Sequence, residues 1–167
     1  MSAVIEEHHH DDHHHGPDRG IMRWVFTTNH KDIGTIYLLF DLDMYFDGGA
    51  MAMYIRAELM YPGLQLEDPD FFNQMTTMHA LVMIFGAVMP AWVGFANWMV
   101  PIMIGAPDMA LPRLNNWSFW LLPFAFTLLL STLFFDGGAP AAGWTLYPPL
   151  VLQGGDHLPF AIFAIHI

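Results

Sequence analysis

The sequence predicts an all-α polytopic membrane protein, with three full transmembrane helices and the start of a fourth. Two observations carry this. The 167 residues are 54% hydrophobic and only 13% charged, whereas soluble domains are roughly a quarter charged. The apolar residues are also clumped: the 65 residues from Phe71 to Phe135 hold two charges, Asp108 and Arg113. A soluble core of that length needs a polar face, and none is written there.

The order of elements follows from charge and hydropathy. Residues 1–20 are polar and lack apolar periodicity, so a disordered tail is expected. Its histidines His8, His9, His10, His13, His14 and His15 have metal-binding chemistry. A solvated tail with incidental metal affinity ranks ahead of a metal module, which would leave the apolar segments unexplained. The first helix is expected over about 33–55, the length of a span at about 20 residues per crossing. Asp41, Asp43 and Asp47 interrupt it, and each carboxylate at a bilayer centre costs about 2.5–3.5 kcal/mol. Helical spacing puts Asp43 and Asp47 on one face and Asp41 off it. They either line a polar interior or mark a sequence error or a damaging change, and error ranks first.

The second helix, about 76–104, contains most of an uncharged run of 28 residues from Ala80 to Pro107, with kinks expected at Pro90 and Pro101. The third is expected over about 115–135, and the last over 158–167. That final segment rises only about 15 Å, half a bilayer, so a longer parent chain is expected. Residues 21–167 then form one membrane unit. Arg19, Arg23 and Lys31 precede the first helix and Arg113 lies between the second and third, which predicts a cytoplasmic N-terminus with Asp108 on the same side. Trp98, Trp117 and Trp120 flank that inner loop as an interfacial belt would.

Several function classes drop out. Cysteine is absent, which removes disulfide, thiolate-zinc and iron–sulfur chemistry. The net charge of −11 sits largely in the tail and in the loop with Glu67, Asp68 and Asp70. Five scattered basic residues make no nucleic-acid footprint. A basic region followed by an apolar run is not seen near the N-terminus, so no secretory signal is expected.

Two sets of residues remain as chemistry. His79, in MTTMHALVMIFG at the outer end of the second helix, is either an axial haem ligand or a hydrogen bond between helices, and on spacing alone the second ranks first. Asn97, Asp108, Asn115 and Asn116 gather near the cytoplasmic ends of helices two and three. They read equally as a water-filled proton entrance or as helix punctuation, with asparagine capping helix three. Arg56 and Glu58 read as snorkelling charges, and Trp144 and Tyr147 in GWTLYPPL as interfacial anchors or donors to an anion.

The strings RWVFTTNHKDIGTIYLLF, IRAEL, MTTMHALVMIFGAVMP, GFANWMVPIMIGAPDMALPRLNN and GWTLYPPL resemble subunit I of the haem–copper oxidases, of the cytochrome c oxidase type. The likeness runs from about Arg23 to the end, and the His-rich leader suits proteobacterial members. The resemblance implies part of a twelve-helix bundle in a bacterial inner membrane. It implies low-spin haem a and a haem a3–copper pair, reduction of oxygen with electrons from cytochrome c, proton pumping and partner subunits. Residue by residue, His79 matches an axial ligand of haem a and Arg56 the arginine on its formyl group. Asp108 matches the proton-channel entrance, with Asn97 and Asn115 just inside. Trp144 and Tyr147 match residues near the haem a3 propionates, and Glu58 a calcium or sodium ligand. The second haem a ligand, the haem a3 ligand and the copper histidines have no counterpart here, so the chain alone is expected to be inactive. Family members have apolar or small residues in place of Asp41, Asp43 and Asp47. A quinol oxidase, a nitric oxide reductase and a short non-catalytic membrane protein are the alternatives.

Overall fold

The computed structural model describes residues 20–63, 65, 69–155 and 157–167. The tail expected over 1–20, with its six histidines, lies outside the described residues except for Gly20. Among the described residues every regular element is helical. A short α1 (Ile21–Val25) leads into α2 (His30–Glu58). Next comes a rod made of α3 (Pro69–Leu81), a π-helical segment (Val82–Val88) and α4 (Met89–Ile104). Then follow α5 (Pro112–Ser131), with a 3-10 turn at Thr132–Phe134, and α6 (Leu158–His166).

The start of α2 is set by local chemistry. Asn29 Oδ1 accepts the Lys31 N–H at 2.8 Å, satisfying one of the donors that every helix N-terminus leaves free. Asp32 in the first turn and Arg56 in the last complement the helix dipole. Arg23 holds Asp32 through a salt bridge at 3.0 Å. At 29 residues, α2 is about 44 Å long, and it begins and ends three residues outside the range expected. Asp43 lies on its exposed face, while Asp41 and Asp47 are half-buried.

The second helix is longer than expected and begins at Pro69 instead of near 76. Pro69 at its first position and Asp70 in its first turn make an ordinary helix start. The kink expected at Pro90 takes a specific form. A proline ring collides with the carbonyl four residues earlier, and the turn holding that carbonyl, Gly86, is wound as π-helix. The rod ends at Gly105, left-handed at φ 70°, with the Ala106 N–H returning to the Pro101 carbonyl at 2.9 Å. The third helix starts at Pro112, three residues before the expected 115, and its α-helical part stops at Ser131.

Two of these helices, Pro69–Ile104 and Pro112–Phe134, are long and apolar enough to cross a membrane. The expected third, α2, has the length but carries too many charges to pass on apolarity. Small residues let α2 approach α4. A Cβ on Gly34 would lie 2.9 Å from the Gly94 carbonyl oxygen, so the two backbones nearly touch. Aromatic edges join α2 to α5: Tyr37 meets Phe119 at 5.1 Å and Phe40 meets Phe126 at 5.6 Å between ring centres. The core between helices is filled by Met44, Met78, Leu81, Val82, Phe126 and Leu129, with α6 closing it through Ala161 and Ala164.

Candidate functional site

The candidate residues fall at opposite ends of the helical bundle. At the end where α2 begins, three elements converge. Asp108, in the loop after α4, accepts the Met109 N–H at 2.7 Å and the His30 N–H at 3.2 Å through Oδ1. His30 Nδ1 donates to the carbonyl of Asn97 at 2.9 Å. Asn97 in turn accepts from the side-chain amide of Asn115 on α5 and donates to the Val93 carbonyl at 3.0 Å. His30 and Asn97 are buried and Asp108 is half-buried. Asn97 and Asn115 are therefore bonded directly, and Asp108 is joined to them through His30.

The capping alternative for Asn115 fails. Leu111 is the N-cap of α5, without a side-chain bond, and Asn115 lies within the helix facing Asn97. Asn116 points elsewhere: its amide donates to the Val25 carbonyl at 2.9 Å, beside the Trp120 indole at 3.1 Å on the same oxygen. This pins the segment before α2 to α5. Of the three tryptophans expected in an interfacial belt, Trp98 also reaches α2, donating to Thr35 Oγ1 at 3.3 Å.

At the other end, His79 sits near the end of α3 and is half-buried. Its Nδ1 lies 2.8 Å from the Gly48 carbonyl on α2. A carbonyl only accepts, so Nδ1 carries the proton and Nε2 of the neutral ring keeps its lone pair. The hydrogen bond between helices and the ligand reading are thus compatible, because a metal-binding histidine commonly donates its second nitrogen to a carbonyl. Gly48 lies 18 residues beyond His30, about 27 Å along α2, which is close to the thickness of a bilayer core.

Arg56 is exposed in the last turn of α2. Glu58 is buried, with Oε1 accepting the Gln65 N–H at 2.8 Å, so it does not snorkel. Trp144 and Tyr147 are exposed in the segment between α5 and α6. That segment hangs on α3: the Gly143 N–H donates to Thr77 Oγ1 at 2.9 Å and the Ala139 N–H to Gln74 Oε1 at 3.1 Å. Trp144 thereby sits at the His79 end. Among the described residues no group of three or more His, Cys, Asp or Glu side chains is placed to hold a metal ion.

Sequence reasoning missed His30, Gly48 and Thr77. Nothing local marks Gly48 or Thr77. For His30 a signal existed in Pro101, which strips the Asn97 carbonyl of its helical donor and so calls for an outside one.

The family model for cytochrome c and quinol oxidase polypeptide I matches residues 32–167. The chain belongs to that family. It is similar to the probable cytochrome c oxidase subunit 1-alpha of Streptomyces coelicolor, 43% identical over 134 residues that cover 80% of this chain and 23% of that protein. It is 41% identical to cytochrome c oxidase subunit 1 of Pecten maximus, over 87% of this chain and 31% of the relative. With the Candida albicans subunit 1 it shares 44% identity, over 88% and 29%. The chain spans roughly a quarter of the length of the curated relatives it matches. Members of this haem–copper oxidase family are membrane proteins, and so is this chain. Asp41, Asp43 and Asp47 lie inside the region matched to it.

Proposed function

We propose that the chain forms part of the catalytic subunit of a terminal oxidase that reduces oxygen to water with electrons from cytochrome c and pumps protons. In this reading it supplies one axial ligand of haem a and the mouth of a proton channel. The observation that carries the reading is the joined cluster of Asp108, Asn97 and Asn115, placed about 27 Å along α2 from the His79–Gly48 bond. A carboxylate at one membrane face and an imidazole near the other are what proton uptake on one side and electron delivery on the other require. With α2 read as a third span, the Lys and Arg bias supports an N-terminus and an Asp108 on the cytoplasmic side, in this reading that of a bacterial inner membrane.

The residues fit the group they would hold. A haem iron needs a neutral imidazole nitrogen, and the Gly48 carbonyl fixes His79 in the tautomer that offers Nε2. Bound there, haem a would accept and pass on single electrons. Arg56, a permanent cation two turns beyond Gly48 on α2, is the proposed partner of the haem formyl group. The Gly143–Thr77 bond holds Trp144 at the His79 end, which supports placing Trp144 and Tyr147 toward the haem a3 propionates. Glu58, a buried carboxylate beside the chain reversal after α2, is the proposed calcium or sodium ligand. Haem a3, copper and the partner subunits belong to the whole oxidase. The names of the relatives favour cytochrome c over quinol as donor.

At the channel mouth, Asp108 collects protons from the cytoplasmic water. Asn97 and Asn115 offer both donor and acceptor atoms, which orient waters without trapping charge. The test is proton-uptake kinetics in the full-length oxidase with Asp108→Asn. Uptake should stop while the haem spectrum stays unchanged. Normal pumping in that variant would sink the reading.

A further inference from the structure

Pro101 lies inside α4. Having no N–H, it leaves the carbonyl of Asn97, four residues earlier, without its helical donor. Asn97 is 2% exposed, so bulk water does not reach that carbonyl, and a buried backbone acceptor requires a partner. The partner comes from another helix. His30 Nδ1, 67 residues away in sequence, stands 2.9 Å from it.

His30 makes a second contact with the same cluster. Its backbone N–H, the first of α2, donates to Asp108 Oδ1 at 3.2 Å. The ring holds α4 and the backbone holds the loop after α4, so one residue touches both Asn97 and Asp108. Asn97 meanwhile accepts from Asn115, which carries the connection on to α5. His30 is 5% exposed, and its Nδ1 proton is committed to a carbonyl that has no proton to give back.

We propose that His30 is a positioning residue for proton entry: its Nδ1–H, taken by the carbonyl that Pro101 frees, sets Asn97 in line with Asp108. The proposal rests on the reading of Asp108, Asn97 and Asn115 as a channel mouth. His30 transfers no proton itself. What matters is a donor at the Nδ1 position, not a titrating ring.

Side-chain chemistry separates these roles. The amide nitrogen of asparagine falls where Nδ1 of histidine lies, and that of glutamine falls nearer Nε2. The experiment uses the full-length oxidase complex and follows proton uptake with a pH-indicator dye during single turnover. The haem spectrum serves as the measure of assembly. His30→Ala and His30→Gln should slow uptake by about tenfold or more, the scale expected when a buried acceptor loses its donor. His30→Asn should restore most of the rate, and haem content should stay level throughout.

If Asp108→Asn blocks uptake and His30→Ala matches the parent, the positioning role is wrong and the channel reading stands. If Asp108→Asn leaves uptake normal, the channel reading itself fails, and this proposal with it. If His30→Asn is as slow as His30→Ala with haem intact, the ring's own protonation is required and positioning is overturned. If His30→Ala does not assemble, the comparison of His30→Asn with His30→Gln decides. Equal rates in that pair, or haem loss in both, overturn the proposal.

Discussion

Replacing Gly34 by alanine is the sharpest test of how α2 and α4 meet. The new Cβ would lie 2.9 Å from the Gly94 carbonyl oxygen, 3.0 Å from Trp98 Cδ1 and 3.2 Å from the Trp98 backbone nitrogen. Two of these atoms are backbone, so no rotamer change relieves them. Bringing the closest pair to an ordinary contact of about 3.4 Å opens the helices by about 0.5 Å, and overpacking of this kind costs about 1–3 kcal/mol. Against it stands the gain of about 0.5–1 kcal/mol from replacing glycine within a helix. The opening also acts one turn away, on the 2.9 Å contact between His30 and Asn97. Stretched by about 0.5 Å, that bond sits at the edge of hydrogen-bonding distance. Gly49→Ala on the same helix is the control, because nothing lies within 4 Å of its Cβ. Thermal denaturation of the full-length complex, followed by haem absorbance, should show a lower Tm for Gly34→Ala and an unchanged or higher one for Gly49→Ala. Proton uptake should slow only in the first. Equal behaviour of the two variants would refute the close crossing.

Three further outcomes follow from the same geometry. Asp43→Leu, on the exposed face of α2, should favour membrane insertion of that helix by about 3–4 kcal/mol, and unchanged insertion in a translocon assay would contradict α2 as a span. Thr77→Val should leave the half-buried Gly143 N–H without its acceptor, at about 0.5–1.5 kcal/mol, and hydrogen exchange at Gly143 should quicken while α5 stays protected. Asn116→Ala should release the segment before α2 from α5, which limited proteolysis between residues 20 and 29 would detect as faster cutting. Asp108→Asn, described above, should halt proton uptake without loss of haem.

Much of the fold is legible from apolar runs and their punctuation, because a spanning helix must be continuously apolar and its ends must be marked. The start of the second helix was harder. Asn73 and Gln74 fall before the expected start and look like loop residues, but Gln74, with Thr77, holds the segment that carries Trp144. Their polarity serves a contact some 65 residues away, which local pattern cannot show. Asn115 was ambiguous for a related reason: an asparagine near a helix start is usually a cap, and only the position of Asn97 on another helix decides otherwise. Glu58 reads as a surface charge because nothing in IRAELMYPG marks one of its two charges as buried. At the site, Asp108, Asn97 and His79 stood out by residue type, whereas the contacts that fix their geometry run through His30 and the Gly48 carbonyl. Asp41, Asp43 and Asp47 fit within an unbroken helix, and none is ion-paired with a described residue; nothing in the packing explains why carboxylates stand there.

The most direct test of the central claim is the optical and electron paramagnetic resonance spectrum of the full-length oxidase with His79→Gly. The account predicts loss of the low-spin haem signal and its return on adding free imidazole to the cavity left behind. A low-spin signal of unchanged position and intensity would contradict it, because the iron would then be held by some other residue.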